Sequence, residues 1–119
     1  MTGMRWGRLQ WDVNCHLRRG AWYRVTEEAS LQAVVDVNRQ PLTVPRYLLQ
    51  VASTPPNRWT VVPKPRNAVG PPADWGTRYV VCPSCRTRAP LQKRARRMRC
   101  EHCQGVFEVA WDEEYLATS

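Results

Sequence analysis

The feature that most constrains this chain is a set of four cysteines in the pattern C-x2-C-x14-C-x2-C. Cys82 and Cys85 form the first pair, and Cys100 and Cys103 form the second. Two cysteines separated by two residues can bind one metal ion from a single tight turn. Two such pairs therefore supply four thiolates, which suit a structural, tetrahedral Zn²⁺ site. Two disulfides or a chance arrangement are the alternatives, and disulfides would require a secreted protein, for which the sequence shows no signal.

The residues around the two pairs have the pattern of β-strands. Residues 78–81 lead into the first pair and residues 97–99 lead into the second, while residues 105–111 follow it with an approximate period of two. The spacer of fourteen residues is long enough for one strand out and one strand back. The sequence therefore predicts a strand, a knuckle, a return strand, a second knuckle and a long strand.

Residues 79–111 contain V-C-P-x-x-C, then Leu91, then M-x-C-x-x-C and F-x-V. With these motifs the segment resembles the small bacterial zinc-ribbon modules that have rubredoxin-like knuckles. The resemblance covers about a quarter of the chain and implies a ribbon fold with a zinc ion bound by the four cysteines. It implies no single function, because ribbons bind DNA, RNA and proteins alike. Such knuckles often place glycine after the second cysteine of a pair, whereas Arg86 and Gln104 occupy those positions here.

The first sixty or so residues hold four to six short apolar segments separated by turn signals, which predicts a small β-barrel. The clearest of these is a hairpin over residues 33–44. Residues 46–51 fit a strand and a short helix equally well. The rhythm of residues 20–25 through residues 58–62 is similar to that of SH3-like barrels of the Tudor and KOW type, and an OB-like barrel is the alternative.

The predicted fold class is mainly β, with a small SH3-like β-barrel followed by a C-terminal zinc ribbon. We expect the barrel to span residues 1–62, the ribbon residues 78–112 and an acidic, solvated tail residues 113–119. Residues 63–77 are rich in proline and predict an extended linker between the two domains. A proline-rich ligand for the aromatic groove of another protein is the alternative for this segment.

The formal net charge of +8 and the pI of about 9.9 favour a polyanionic partner, which means nucleic acid or an anionic surface. Arginine greatly outnumbers lysine; this bias suits bidentate phosphate contacts, but a GC-rich genome would produce it as well. No apolar run approaches the length needed to span a bilayer, and the N-terminal residues lack the apolar core of a signal peptide. We therefore expect a cytoplasmic protein without membrane attachment.

The densest positive charge lies between the two cysteine pairs, on the predicted ribbon hairpin. Seven basic residues stand there with no acidic residue among them: Arg86, Arg88, Lys93, Arg94, Arg96, Arg97 and Arg99. Contact with phosphates would release counterions and give a salt-dependent affinity for DNA or RNA. Two alternatives explain these basic residues without nucleic acid. Some of them could offset the negative charge of a four-thiolate zinc site, or they could form a charged face that contacts only solvent.

The predicted function is that of a nucleic-acid-binding accessory subunit of a larger nucleic-acid-processing complex. A protein-interaction adaptor that docks onto a larger protein partner is the main alternative, and a structural oligomer is a third. We expect no enzymatic activity and no small-molecule substrate, because His16 and His102 are the only histidines and no phosphate-binding loop is present. Cys15 stands beside His16 and has two interpretations. It is a further metal ligand or a reactive thiol, or it is a half-buried cysteine without a functional role beside a surface histidine. Trp22 and Trp59 are expected in a core.

Overall fold

The structure, a computed structural model, describes residues 4–13, 15–64 and 73–116. The described residues form ten β-strands and two single-turn 3₁₀ helices. The chain divides into two compact units, Met1–Pro56 and Asn57–Ser119. The mainly β fold class is confirmed, with a curled half-barrel sheet in the first unit and a second sheet in the other.

The first unit is a five-stranded antiparallel sheet in the order β4-β3-β2-β1-β5. Because β1 pairs with both β2 and β5, the last strand returns to the first and the sheet curls. A 3₁₀ turn at Arg46–Leu48 precedes β5, so the segment predicted as either strand or helix contains both. The strands are β1 (Arg5–Leu9), β2 (Tyr23–Glu28), β3 (Gln32–Val37), β4 (Gln40–Pro45) and β5 (Leu49–Ala52).

The hairpin predicted over residues 33–44 is confirmed as β3 and β4, which pair from Gln32 opposite Pro45 to Val37 opposite Gln40. Its two-residue turn has positive φ at both positions, 51° at Asn38 and 67° at Arg39. This is the geometry of a type I′ turn, whose twist matches that of the flanking strands. Asparagine tolerates the left-handed conformation, whereas arginine adopts it at a cost.

The second unit is a five-stranded sheet in the order β8-β7-β6-β10-β9. The pairing of β6 with β10 is parallel and the other pairings are antiparallel. A second 3₁₀ turn, Ala73–Trp75, precedes β7. The strands are β6 (Arg58–Pro63), β7 (Arg78–Val81), β8 (Arg88–Pro90), β9 (Arg97–Arg99) and β10 (Val106–Val109).

Strand β6 differs from its predicted grouping. The sequence pattern predicts that residues 58–62 belong to the barrel, whereas they form the centre of the second sheet. Trp59, Thr60, Val61 and Val62 are all buried in succession, as expected for a strand that is covered on both faces. A strand pattern predicts that a strand forms but does not identify its partner, and this is why the grouping differed.

The segment predicted as an interdomain linker lies within the second unit and joins two of its strands. Residues 64–77 connect β6 to β7, which are neighbours in one sheet, and the backbone N–H of Lys64 donates to the carbonyl oxygen of Thr77 at 2.8 Å. The predicted boundaries at 62 and 78 therefore differ from the division after Pro56. Most of the proline-rich stretch, residues 65–72, lies outside the described residues.

The core of the second unit is built around Trp59, whose side chain is fully buried. Its indole N–H donates to the carbonyl oxygen of Met98 at 2.9 Å, and its ring meets that of Phe107 edge-on with centroids 6.5 Å apart. Two of the cysteines, Cys82 and Cys100, belong to the same buried cluster. The core position predicted for Trp59 is confirmed. No helix among the described residues is long and apolar enough to cross a bilayer.

Candidate metal centre and basic segment

The four cysteines of the C-x2-C pairs lie together, with all four sulfur atoms within 4.8 Å of one another. The Sγ atoms of Cys82 and Cys103 are 3.7 Å apart, and those of Cys85 and Cys100 are 3.5 Å apart. A tetrahedron with Zn–S bonds of about 2.3 Å has sulfur–sulfur edges of about 3.8 Å. The sulfur positions therefore fit one tetrahedral metal ion, and they are too far apart for disulfides, whose S–S bond is about 2.05 Å. The cysteines are positioned to bind a metal ion.

The first knuckle is closed by two backbone hydrogen bonds. The N–H of Arg86 donates to the carbonyl oxygen of Cys82 at 3.1 Å, and the N–H of Cys82 donates to the carbonyl oxygen of Thr87 at 2.9 Å. Arg86 has a φ of 65°, which is the left-handed conformation that glycine often supplies at this position. The knuckle therefore keeps its turn without glycine.

The second knuckle repeats these bonds. The N–H of Gln104 donates to the carbonyl oxygen of Cys100, and the N–H of Cys100 donates to that of Gly105, both at 2.8 Å. Gln104 has a φ of 67°, close to the value at the equivalent position of the first knuckle. A Cβ atom on Gly105 would lie 2.6 Å from the ring of Phe107, so a larger residue at this position would force the ring to shift. The sequence identifies the left-handed position at Gln104 but not the packing constraint at Gly105.

Burial and hydrogen bonding shift the pKa values of the individual thiols in different directions. Burial raises the pKa of Cys82 to about 12, although backbone hydrogen bonds from Cys85 and Ser84 oppose the rise. Burial also raises the pKa of Cys100. For Cys85, burial opposes ionisation, but hydrogen bonds with Thr87 and with the neighbouring thiols outweigh it and lower the pKa to about 6.

These pKa values bear on metal binding because a metal ion binds thiolates and not thiols. Within the folded cluster and without a bound cation, the thiol of Cys85 ionises more readily than those of Cys82 and Cys100, which keep their protons near neutral pH. A bound cation would supply the charge that stabilises thiolates in this buried cluster. With four sulfur ligands the coordination sphere would be complete, and no position would remain for water or substrate.

The basic residues between the knuckles do not form the paired hairpin that was predicted. Strand β8 pairs with β7 and strand β9 pairs with β10, so β8 and β9 lie at opposite edges of the sheet. A fourteen-residue spacer can hold two strands, but its length does not establish that they pair with each other. We refer to residues 86–99 as the basic segment.

Most cations of the basic segment point into solvent. Arg86 and Arg88 are half-buried. Five others are exposed, and none of the five forms an ion pair with another described residue: Lys93, Arg94, Arg96, Arg97 and Arg99. On β9 the side chains alternate, so that Arg97 and Arg99 are exposed while Met98 enters the core. The structure thus places five of the seven predicted cations on an accessible surface.

The adjacent Cys15 and His16 are exposed residues of the first unit. The sulfur of Cys15 accepts a hydrogen bond from the backbone N–H of Leu17 at 3.5 Å. Cys15 is not part of the four-cysteine cluster. The further-ligand interpretation of this pair therefore gains no support from the geometry of that cluster.

Comparisons with protein-family models, with curated proteins and with solved structures gave no match for this chain.

Proposed function

We propose that the protein is a small zinc-ribbon, nucleic-acid-binding accessory protein that contacts the phosphate backbone through the basic segment. The observation that carries this proposal is the row of five exposed cations, Lys93 to Arg99, without ion-pair partners among the described residues. Unpaired surface charge of one sign is the arrangement that binds a polyanion by counterion release. The protein has no catalytic step of its own and acts within a larger nucleic-acid-processing complex.

The metal in this proposal is zinc. An all-sulfur tetrahedral site suits both zinc and iron, and zinc is the usual ion where the role is structural. The two closed knuckles and the resemblance of residues 79–111 to zinc-ribbon modules support the same assignment.

The metal site and the basic segment act together. Cys85 and Cys100 immediately flank the segment, and their sulfur atoms are 3.5 Å apart. A metal ion bound by both cysteines would tie together the two ends of the basic segment. The segment would then lose less conformational entropy when its charged side chains bind a ligand. Binding of nucleic acid should therefore depend on the metal as well as on the arginines.

The first unit is proposed to be an SH3-like barrel of the Tudor and KOW type. Its four-strand meander, single 3₁₀ turn and final strand paired with β1 support this proposal. In an accessory protein such a unit would hold the chain on its host complex.

A protein-interaction adaptor is the second candidate, and one surface of the first unit favours it. Leu31, Trp11 and Tyr47 are 80%, 52% and 68% exposed. The backbone carbonyl oxygen of Tyr47 accepts hydrogen bonds from the Trp11 indole at 3.1 Å and from the Gln10 side-chain amide at 2.6 Å, which holds the Trp11 ring beside the backbone of Tyr47. Exposed aromatic residues of this kind are typical anchors of protein interfaces.

Fluorescence anisotropy with labelled DNA and RNA separates the two candidates. The test variant carries Arg94→Glu, Arg96→Glu and Arg97→Glu. A matched control carries Arg5→Glu, Arg24→Glu and Arg39→Glu, which lower the net charge equally but lie in the first unit. The proposal predicts that the metal-loaded wild type and the control bind and that the test variant binds far more weakly and loses binding at moderate salt. Absence of binding by the folded, metal-loaded wild type at low salt would overturn it and favour the adaptor.

A further inference from the structure

Trp111 is the large aromatic side chain of the second unit that remains exposed beside the basic segment. It keeps 40% of its surface accessible, although an indole is costly to leave in water. Its ring is nevertheless held in place: the indole N–H donates to the carbonyl oxygen of Ala95 at 2.6 Å. The guanidinium of Arg78 lies 5.7 Å from the ring centroid, a contact that can occupy one face only. Trp111 is therefore a rigid, partly exposed aromatic surface tied to the basic segment.

The ring of Trp111 lines an open groove of about 640 Å³. The other lining residues come from β6, the basic segment, β10 and the residues that follow β10: Arg58, Arg96, Arg97, Glu108, Val109 and Asp112. The strand register explains how these residues meet, since Glu108 lies opposite Arg97 on one side and opposite Arg58 on the other. Residues opposite one another on adjacent strands share a face of the sheet.

The charges of the groove are only partly balanced. Arg58 forms an ion pair with Asp112 at 2.8 Å, and Glu108 lies between two arginines in the register. Arg96 has no ion-pair partner among the described residues, and the adjoining cations of the basic segment extend the positive surface beyond the groove. The groove thus combines a fixed aromatic ring, cations and carboxylate acceptors.

We propose that this groove binds one unstacked base of a single-stranded nucleic acid, with Trp111 stacking on the base and Arg96 and Arg97 contacting the adjacent phosphates. The inference rests on the proposed nucleic-acid-binding function and deepens it by selecting single strands over duplexes. An aromatic ring stacks on any base because every base has a π-face, so the recognition needs no particular sequence. The carboxylates of Glu108 and Asp112 suit the amino groups on base edges.

The groove should prefer single strands over duplexes because the faces of their bases are accessible to the indole ring. In a duplex each base is stacked between its neighbours, so an indole can reach a face only after the base is flipped out at a cost of a few kcal/mol. In a single strand the face is available while the phosphates still meet the basic segment. An acidic peptide would satisfy the cations as well, but its carboxylate side chains have no π-face to stack on the indole.

The experiment compares anisotropy titrations of the metal-loaded protein with single-stranded DNA, the matching single-stranded RNA and a duplex of the same length. We expect tighter binding to the single strands. Trp111→Ala should weaken binding to both single strands by about 5- to 150-fold, the effect of losing one stacked base, and should leave duplex binding unchanged. The DNA and RNA arms identify the preferred strand.

Trp111→Phe is the matched control, because it keeps an aromatic face while removing the N–H that donates to Ala95. It should retain single-strand binding within a few-fold of the wild type. Equal affinity for single strands and duplex, or equal losses in both Trp111 variants, would overturn the stacking inference while leaving phosphate binding intact. Failure of the wild type to bind any probe would instead overturn the proposed function, and the inference with it.

Discussion

Removal of the metal should unfold the second unit and leave the first unit folded. Two of the four sulfur atoms of the candidate metal centre, those of Cys82 and Cys100, are buried in the same cluster as Trp59. Their coordination would therefore be part of the core of this unit and not an attachment to its surface. No cysteine of the first unit belongs to the cluster, so that unit has no comparable dependence.

The size of the second unit gives the free energy of unfolding with which the contribution of the metal is to be compared. Asn57–Ser119 is a unit of roughly sixty residues, and domains are stabilised by about 0.05–0.15 kcal/mol per residue, which gives about 3–9 kcal/mol. Structural zinc sites contribute about 10–16 kcal/mol to the folding of small domains at neutral pH. Because this contribution exceeds the expected stability of the whole unit, the metal-free form should be unfolded at equilibrium.

Amide hydrogen exchange measured by mass spectrometry reports on both units at once. After chelation, peptides from β6 to β10 should lose protection while those from β1 to β5 keep it. Cys100→Ser should produce the same pattern without chelator, and Cys15→Ser, which changes an exposed cysteine of the first unit, should behave as the wild type. If β6 to β10 stay protected when elemental analysis shows that the metal is gone, the metal does not hold this unit together.

Three further predictions concern turns and ionisation. Arg39→Gly should raise the unfolding free energy of the first unit by up to about 1 kcal/mol in chemical denaturation, because glycine relieves the left-handed strain in the type I′ turn; a decrease would contradict this. Gly105→Ala should lower the thermal midpoint of the second unit and its metal affinity, because the new Cβ meets the ring of Phe107 at 2.6 Å; an unchanged midpoint would show that the ring moves freely. Burial raises the pKa of the thiols of Cys82 and Cys100 above the usual value, so both must release a proton on binding metal. Because two or more protons leave when the metal binds, affinity measured by chelator competition should fall by at least about 100-fold per unit of decreasing pH near neutrality, and a pH-independent affinity would refute the assignment.

The parts of this fold that could be predicted from sequence are those that depend on local patterns. The hairpin over residues 33–44 depends on two alternating strands and a turn with Asn38, and all of these are local. The grouping of Cys82, Cys85, Cys100 and Cys103 depends on spacing that lets each pair close a knuckle. Both predictions hold in the structure for this reason.

The parts that could not be predicted depend on pairing between distant segments. Strand β6 was recognised as a strand, but its parallel pairing with β10 joins Trp59 to Val109 across fifty residues of sequence. The groove beside Trp111 was missed for the same reason, because Arg58 reaches it only through that pairing. The separation of β8 from β9 could not be predicted either, since nothing in the sequence of the basic segment specifies the strand with which each of them pairs.

The proposed function depends on contact between the exposed cations of the basic segment and the phosphates of a nucleic acid. The salt dependence of the affinity for single-stranded DNA tests it most directly. If all five exposed cations, Lys93, Arg94, Arg96, Arg97 and Arg99, each neutralise one phosphate, the plot of log K against log salt should have a slope of about −3.5. The variant with Arg94, Arg96 and Arg97 changed to glutamate should have a slope no steeper than about −1.4, with binding lost at moderate salt. A wild-type slope near zero, or equal slopes in the two proteins, would contradict the claim.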